Sequence, residues 1–251
     1  MRLLPVSAFN EVFRPLAGKR IGYVRTPGNV GDLLIERAAF QLLSEFHVEF
    51  SVLCTNEVQD FDELVVAGGG NMGDLYPANR RIREKILRYG KPVTILPQSF
   101  TSPEPLPYDR VFVRERGSFQ FAPTATLAPD LALGLEYTPT SVKPVRENGL
   151  CLRRDCESVV KSAASSTDPT HSCKTAIEYL ELAASYRHII TDRLHFAIAG
   201  LICGRRVTFL PNSYHKNRSM YETWLQNIGC EWSWNVPNSC SRSYDSTDWV
   251  I

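Results

Sequence analysis

The stretch IITDRLHFAIAG at residues 189–200 places a cation and an imidazole where a helix is predicted to begin. Its two isoleucines end a short apolar strand, and the Thr-Asp pair that follows is favourable for a helix N-cap. Arg193 and His195 then open an apolar helix that continues to a stop at Gly204. Free backbone N–H groups and a partial positive charge mark a helix N-terminus, so we expect an anionic ligand there.

Two glycine-rich stretches in the first half of the chain point to the same kind of ligand. RTPGNVGD at 25–32 and GGGNMGD at 68–74 each follow a predicted strand, contain an asparagine and end in Gly-Asp. Glycine allows a backbone to approach a ligand closely, and the carboxyl ends of parallel strands meet at one edge of a sheet. Neither stretch matches the GxGxxG or GxxxxGK[ST] nucleotide patterns. One such loop could be a tight turn, but two favour a shared site.

The elements that must position these residues alternate between strand and helix. This pattern predicts an α/β fold with two Rossmann-like domains whose parallel sheets face a cleft, the GT-B-like architecture. We predict an N-terminal domain at 1–140, a linker at 141–148 and a C-terminal domain at 149–251.

Three further segments carry specific expectations. The predicted strand at 92–96 ends in a Pro-Gln-Ser loop, and the Ser- and Thr-rich segment at 157–174 is predicted to be a loop. The helix at 77–89 carries five basic residues, for which a solvated face is the default interpretation and a functional basic patch the alternative.

Composition excludes several classes of function. The formal net charge is +1, which predicts no global field for nucleic acid. The seven cysteines form no Cys-x-x-Cys pair, which favours a reducing compartment and a cytoplasmic location. No apolar run is long enough for a transmembrane segment, although peripheral contact with a membrane stays open. No cluster has metal-ligand spacing, so we expect a reaction without a metal.

Eight short motifs carry a family resemblance when they are taken together. They occur in order as GNVGDLLI (28–35), VAGGGNMGD (66–74), LPQS (96–99), VRERGS (113–118), APDLAL (128–133), LRRD (152–155), TDRLHFAIAG (191–200) and FLPNSYHKN (209–217). Each motif is weak alone, but the ordered set resembles the polysaccharide pyruvyl transferase family. The resemblance implies a GT-B-like fold and transfer of pyruvate from phosphoenolpyruvate to a sugar of an exopolysaccharide or cell-wall glycan. The usual product is a cyclic ketal across two hydroxyls.

Under this resemblance, phosphoenolpyruvate is the donor substrate, no further cofactor is expected, and the acceptor is a sugar or a lipid-linked oligosaccharide. The C-terminal domain would bind the donor and the N-terminal domain the acceptor. His195 is the candidate general acid, Arg193 the phosphate ligand, and Asp32 the group that accepts or orients the acceptor hydroxyl. The other predicted substrate-binding residues are Asn29, Gly31, Gly69, Gly70, Asn71, Asp74, Gln98, Ser99, Arg114, Arg153, Arg154, Asn212, Ser213, Tyr214 and Lys216.

Alternatives remain open at this point. The glycine loops and basic strand ends would serve a GT-B glycosyltransferase with a nucleotide sugar equally well, and a catalytically inactive sugar- or anion-binding module is a third hypothesis. A histidine beside an apolar run is often a packed core residue, and His215 is the second candidate histidine. Asp32 and Asp74 could serve only as turn or capping residues.

Overall fold

The computed structural model describes residues 2–53, 58–139, 143–159 and 166–236, which form two parallel β-sheets with helices packed against them. The strands of the first sheet are β1 (Arg20–Val24), β2 (Glu49–Val52), β3 (Glu63–Val66), β4 (Gly69–Met72), β5 (Val93–Phe100), β6 (Arg110–Val113) and β7 (Thr126–Leu127). The strands of the second sheet are β8 (Arg146–Cys151), β9 (Tyr186–Thr191), β10 (Arg206–Phe209) and β11 (Glu231–Trp232).

The first α-helix precedes β1, and the others occupy connections between these strands. The helices are α1 (Asn10–Phe13), α2 (Val30–Glu45), α3 (Pro77–Leu87), α4 (Pro169–Ser172), α5 (Ala176–Ala184), α6 (Leu194–Ile202) and α7 (Lys216–Thr223). Strand order is β2-β1-β3-β5-β6-β7 in the first sheet, with β4 on β5, and β11-β10-β9-β8 in the second. Every pairing is parallel. The predicted α/β fold with two Rossmann-like sheets, the GT-B-like class, is therefore confirmed.

One hydrophobic core joins the two halves of the molecule. Helix α6 is apolar on every side and all but one of its residues are buried, which is the pattern of a helix packed between layers. Helix α2 buries the face that carries Leu34, Ala38 and Leu42, and these side chains belong to the same core cluster as the buried residues of α5 and α6. The halves are thus held in a fixed relation, so the ends of α2 and α6 can form one site.

The structure corrects two predictions about the segments around the glycine loops. Residues 69–72, predicted as loop, form strand β4, and β5 continues through Pro97 to Phe100 instead of ending at Leu96. Proline donates no backbone hydrogen bond, and the pairing of β5 with β6 shifts register between Ile95 and Gln98, which accommodates it. Sequence periodicity carries no signal for this irregularity.

Two further boundaries differ from the predictions. Strand β8 begins at Arg146, inside the predicted linker at 141–148, because the backbone N–H groups of Val145 and Arg146 bind the Ser185 carbonyl. The predicted loop at 157–174 contains helix α4, capped by the Asp168 side chain, while residues 160–165 lie outside the described part of the chain. The division into two domains itself stays a prediction.

Candidate active site

A cavity of about 450 Å³ lies between the carboxyl ends of the two sheets. Its lining comes from both halves of the chain, as expected for parallel sheets that face each other. The lining residues are Pro27, Gly28, Asn29, Asp32, Gly70, Asn71, Leu75, Tyr76, Pro77, Ala78, Asn79, Arg81, Arg114, Arg153, Glu157, Tyr179, Arg193, Leu194, His195 and Lys216. Its size suits a small-molecule substrate with part of a larger acceptor.

The N-termini of helices α2 and α6 meet at this cavity. Helix α2 begins at a capping box in which the Asn29 side chain accepts from Gly31 N–H and the Asp32 carboxylate accepts from Asn29 N–H, at 2.8 and 2.7 Å. A side chain at Gly31 would meet His195 Nδ1 at 2.8 Å, so the glycine allows the start of α6 to approach α2. Two helix dipoles therefore present their positive ends to one small volume, which favours an anion.

His195 lies between a carboxylate and a guanidinium. Its Nε2 is 3.3 Å from Asp130 Oδ2 and 3.3 Å from Arg114 Nη1. The pKa of Asp130 is held well below its usual range, despite complete burial, by the charges and hydrogen bonds of His195 and Arg114 and by the Ala132 N–H. The carboxylate and the guanidinium therefore hold the imidazole in place at the cavity wall.

Arg114 is fixed on one side and open on the other. It is buried, and its Nε donates to Ser99 Oγ while its Nη1 donates to Asp130 Oδ2, both at 2.8 Å. Its Nη2 makes no hydrogen bond to the described residues and lies against Gly70, where an added Cβ would come within 2.8 Å of it. Gly70 thus leaves room for one guanidinium amino group at the cavity surface.

Arg193 has an equivalent arrangement in the second half. Its Nε and Nη2 bind both oxygens of Asp168, at 2.6 and 2.7 Å, and Nη2 also reaches Asp155 at 3.1 Å. Within the described part of the chain, Nη1 has no hydrogen-bond partner. Arg193 also precedes the first helical residue and is itself the N-cap of α6, where Thr191 Oγ1 accepts from its N–H, so the helix begins one residue later than predicted.

A second ionic cluster surrounds Glu157. Its carboxylate accepts from Tyr76, Arg153, Asn212 and Lys216, and these charges and hydrogen bonds lower the pKa of Glu157 to about 2 despite burial. Burial lowers the pKa of Lys216 to about 8, with Glu157 opposing the shift and the neighbouring arginines adding to it. The Tyr76 bond, at 2.8 Å, connects the first half of the chain to this cluster in the second half.

The structure brings together about half of the predicted site residues. Those that line the cavity are Asn29, Asp32, Gly70, Asn71, Arg114, Arg153, Arg193, His195 and Lys216. Those that lie beside it and position others are Gly31, Gly69, Gln98, Ser99, Asn212 and Tyr214. Asp74, Arg154 and Ser213 are exposed and outside the lining, and Asp74 binds Arg80 at the surface.

Several residues that build the site were not predicted from the sequence. Asp130, Glu157 and Asp168 supply the carboxylates that fix the cationic groups. Asp130 lies three residues after the end of β7, a position that could have marked it, but Glu157 and Asp168 lie in a segment whose composition predicts only a loop. Distant carboxylates become site residues through tertiary contacts, which local sequence does not encode.

One basic residue of helix α3 differs from the prediction, although Arg81, Lys85 and Arg88 are exposed as expected. Arg83, expected on a solvated face, is fully buried and binds Glu104 through two hydrogen bonds of 2.7 Å. The same guanidinium holds Asn71 by its side-chain and backbone oxygens, at 3.0 and 3.2 Å. Arg83 therefore holds β4, the strand formed by the second glycine-rich stretch, in its position beside the cavity.

Other classes of site receive no support from the described residues. They contain no group of three or more His, Cys, Asp or Glu side chains that could hold a metal ion. In the same part of the chain, no helix combines the length and the apolar character needed to cross a bilayer. Four of the five described cysteines are buried and all five are free thiols; the cytoplasmic location stays a prediction.

Comparison with known proteins places this geometry in a family. A protein from Bacillus subtilis strain 168, named "Putative pyruvyl transferase EpsO", is 21% identical over 80% of this chain and 83% of its own length. The crystal structure of the functionally uncharacterized protein KP1_0663 from Klebsiella pneumoniae subsp. pneumoniae NTUH-K2044 has the same fold, with a TM-score of 0.74, 22% identity and coverage of 90% of this chain and 95% of that one. The family model of polysaccharide pyruvyl transferases matches residues 29–214. This chain, with its anion-directed cavity, therefore belongs to the polysaccharide pyruvyl transferase family.

Proposed function

We propose that this protein transfers pyruvate from phosphoenolpyruvate to two hydroxyls of a glycan sugar and forms a ketal. The proposal rests on two cavity arginines, Arg114 from the first half of the chain and Arg193 from the second. Each has one terminal guanidinium amino group without a hydrogen-bond partner among the described residues. Arg114 is fixed by Asp130 and Arg193 by Asp168. A donor with a carboxylate and a phosphate needs two such cationic positions.

His195 is the general acid in this proposal. Its proton goes to the methylene carbon of phosphoenolpyruvate, which becomes a methyl group and leaves the central carbon electrophilic. An acceptor hydroxyl oxygen bonds to that carbon and gives up its proton to a base, and the carbon–oxygen bond to phosphate breaks so that inorganic phosphate leaves. The oxygen of a second hydroxyl then bonds to the same carbon and passes its proton to the deprotonated imidazole, which closes the ketal and restores the acid. The ring lines the cavity, and its Nε2 lies 3.3 Å from the Asp130 carboxylate, which holds it in place beside the donor.

Asp32 remains the candidate to accept the hydroxyl proton. Its carboxylate lines the cavity and uses one oxygen, Oδ2, to cap helix α2 through the N–H of Asn29. The other oxygen, Oδ1, has no hydrogen-bond partner in the part of the chain that the structure describes. The capping bond thus fixes the carboxylate while it leaves one oxygen for a substrate.

Steady-state kinetics of His195→Gln test this proposal, with phosphoenolpyruvate as donor and a panel of soluble glycosides as acceptors. We expect kcat to fall by about 10²–10⁴-fold because glutamine supplies no proton, while calorimetric affinity for phosphoenolpyruvate changes little. His188→Gln is the matched control, because His188 bonds Thr208 on the second sheet and does not line the cavity. Near-wild-type turnover of His195→Gln would contradict the assigned role.

Ligand-induced stabilisation separates the donor classes. A ligand that binds the folded chain raises its melting temperature, so phosphoenolpyruvate should do so and UDP-sugars should not. Stabilisation by a UDP-sugar, with none by phosphoenolpyruvate, would replace the proposal with the nucleotide-sugar glycosyltransferase.

A further inference from the structure

Helix α3 presents a stripe of cations on the face opposite its buried side. The stripe consists of Arg81, Lys85 and Arg88, all exposed. With 3.6 residues per turn, their spacings of four and three residues place them on one face. The buried residues Asn79, Arg83 and Ile86 lie on the other. The stripe therefore faces away from the core.

These three cations are not neutralised by the acidic residues near them. Within the described residues, none of the three forms an ion pair. The acids on the same surface, Asp74 and Glu84, are both bound by Arg80, at 2.9 and 3.1 Å. Two arginines of the helix, Arg80 and Arg83, thus bind acidic residues of this chain. The stripe stays available for an anion from outside the protein.

The position of the stripe connects it with the cavity. Arg81 is part of the cavity lining, and so are Pro77 and Ala78 in the preceding turn. Leu75, just before the helix, lines the same rim and exposes 41% of its surface. Long cations next to an exposed aliphatic side chain are typical of surfaces that rest on a bilayer.

We propose that the stripe and Leu75 dock this protein on an anionic lipid surface, with the cavity rim facing the bilayer. The charges are complementary, since lipid head groups present a dense layer of anions to which flexible lysine and arginine side chains bind without a shaped pocket. A glycan track would instead offer aromatic rings or amides for stacking and hydrogen bonding. The stripe has neither, and the hydroxyl of the nearby Tyr76 is already bound to Glu157. An acceptor held at the membrane would then reach the cavity directly.

The expected strength follows from the number of charges. Each lysine or arginine near an anionic membrane contributes about a fivefold gain in partitioning, so removal of all three should weaken binding roughly 100-fold. Because the interaction is exposed, raising the salt concentration from about 0.1 M to about 1 M should shorten the screening length from about 10 Å to about 3 Å and release the protein.

Co-sedimentation with vesicles of equimolar phosphatidylglycerol and phosphatidylcholine tests the proposal. The variant Arg81→Gln/Lys85→Gln/Arg88→Gln should lose binding about 100-fold, and Leu75→Ser should lose several-fold. The control Arg20→Gln/Arg187→Gln/Arg206→Gln removes the same charge from exposed arginines at the amino ends of β1, β9 and β10, away from the cavity. It should bind like the wild type.

Each outcome decides the matter. Loss in the stripe variant, retention in the control and no binding to pure phosphatidylcholine support the proposal. Absence of wild-type binding to the anionic vesicles, or equal loss in both triple variants, overturns it. Equal affinity for soluble polygalacturonate would also overturn it and assign the stripe to a glycan. None of these results depends on phosphoenolpyruvate. Lys85→Gln/Arg88→Gln, which lies outside the cavity lining, should keep turnover on a soluble acceptor while vesicle binding falls.

Discussion

The two sides of the cavity hold charge in different ways. The N-terminal wall includes Gly28, Asn29, Gly70 and Asn71 and is largely backbone and amide, with the guanidinium of Arg114 inside the cavity and that of Arg81 at its rim. The C-terminal wall is an ionic network in which Arg153, Arg193 and Lys216 meet Asp155, Glu157 and Asp168. The N-terminal wall attracts an anion through the dipole of a helix and a backbone that can approach the anion closely. The C-terminal wall attracts it through cations that are paired with a common set of carboxylates.

The difference predicts how each wall responds to damage. On the N-terminal wall, Asp130 has Arg114 as its one permanently charged partner among the described residues, together with His195 and a backbone N–H. On the C-terminal wall, Glu157 has Arg153 and Lys216, so the loss of one cation leaves another. The first wall is therefore the more vulnerable to a single substitution, and the second the more sensitive to pH.

The largest expected effect is that of Arg114→Met. It leaves the fully buried Asp130 without its guanidinium, and breaking a buried pair costs about 3–5 kcal/mol of unfolding free energy. Denaturant unfolding should show a smaller loss for Arg153→Met, because Lys216 still faces Glu157. Arg20→Met, an exposed pair with Glu49, should change stability by less than about 1 kcal/mol. Equal costs for Arg114→Met and Arg153→Met would remove the proposed distinction between the walls.

The pH dependence of Lys216 tests the C-terminal wall. Its pKa is lowered to about 8 from 10.5 by burial, so the ammonium is lost as the pH rises through 8. The phosphate of the donor is already ionised there, with a second pKa near 6. Phosphoenolpyruvate affinity, measured by calorimetry, should then fall by up to roughly tenfold per pH unit. In Lys216→Arg, phosphoenolpyruvate affinity should fall much less as the pH rises, because arginine keeps its charge over this range.

Folding stability should move in the opposite direction over the same range. Between pH 8 and 10.5 the unfolded lysine binds more protons than the folded one, so its contribution to stability rises with pH. The difference in unfolding free energy between wild type and Lys216→Arg isolates this contribution from other alkaline titrations. A difference that does not change with pH would show that Lys216 titrates normally.

The smallest expected effect concerns the bond that joins the walls. Tyr76→Phe removes the hydroxyl that donates to Glu157 at 2.8 Å, which should cost about 1.5 kcal/mol, as for a hydrogen bond to a charged group. Tyr89→Phe, at the end of α3, is the control and should lie within about 0.5 kcal/mol of wild type. If both variants unfold alike, the bond contributes nothing and the walls are held by the shared core alone.

Sequence patterns predicted the fold class and the centre of the site. Strand-helix alternation predicted two parallel sheets, and the convergence of Gly28, Gly70 and His195 followed because the carboxyl ends of parallel strands share an edge. The same logic failed for Asp74, which follows a glycine loop but lies outside the cavity lining and binds Arg80 at the surface. Position after a strand therefore narrows the candidates for such a site, and the direction of each side chain decides which of them reach the cavity.

The sequence by itself determined which groups bring charge to this site: an Arg-x-His at a helix start, an arginine after β6 and glycines where the backbone must come close. The tertiary structure alone decided which of those charges stay available. Arg83 and Arg81 are two residues apart on one helix, yet one is buried against Glu104 and the other is exposed at the rim. The reason is physical: a carboxylate within hydrogen-bond reach occupies the donors that point at it. In the folded chain Glu104 takes up donors of Arg83, whereas Asp130 and Asp168 each leave one amino group of Arg114 and Arg193 without a partner among the described residues.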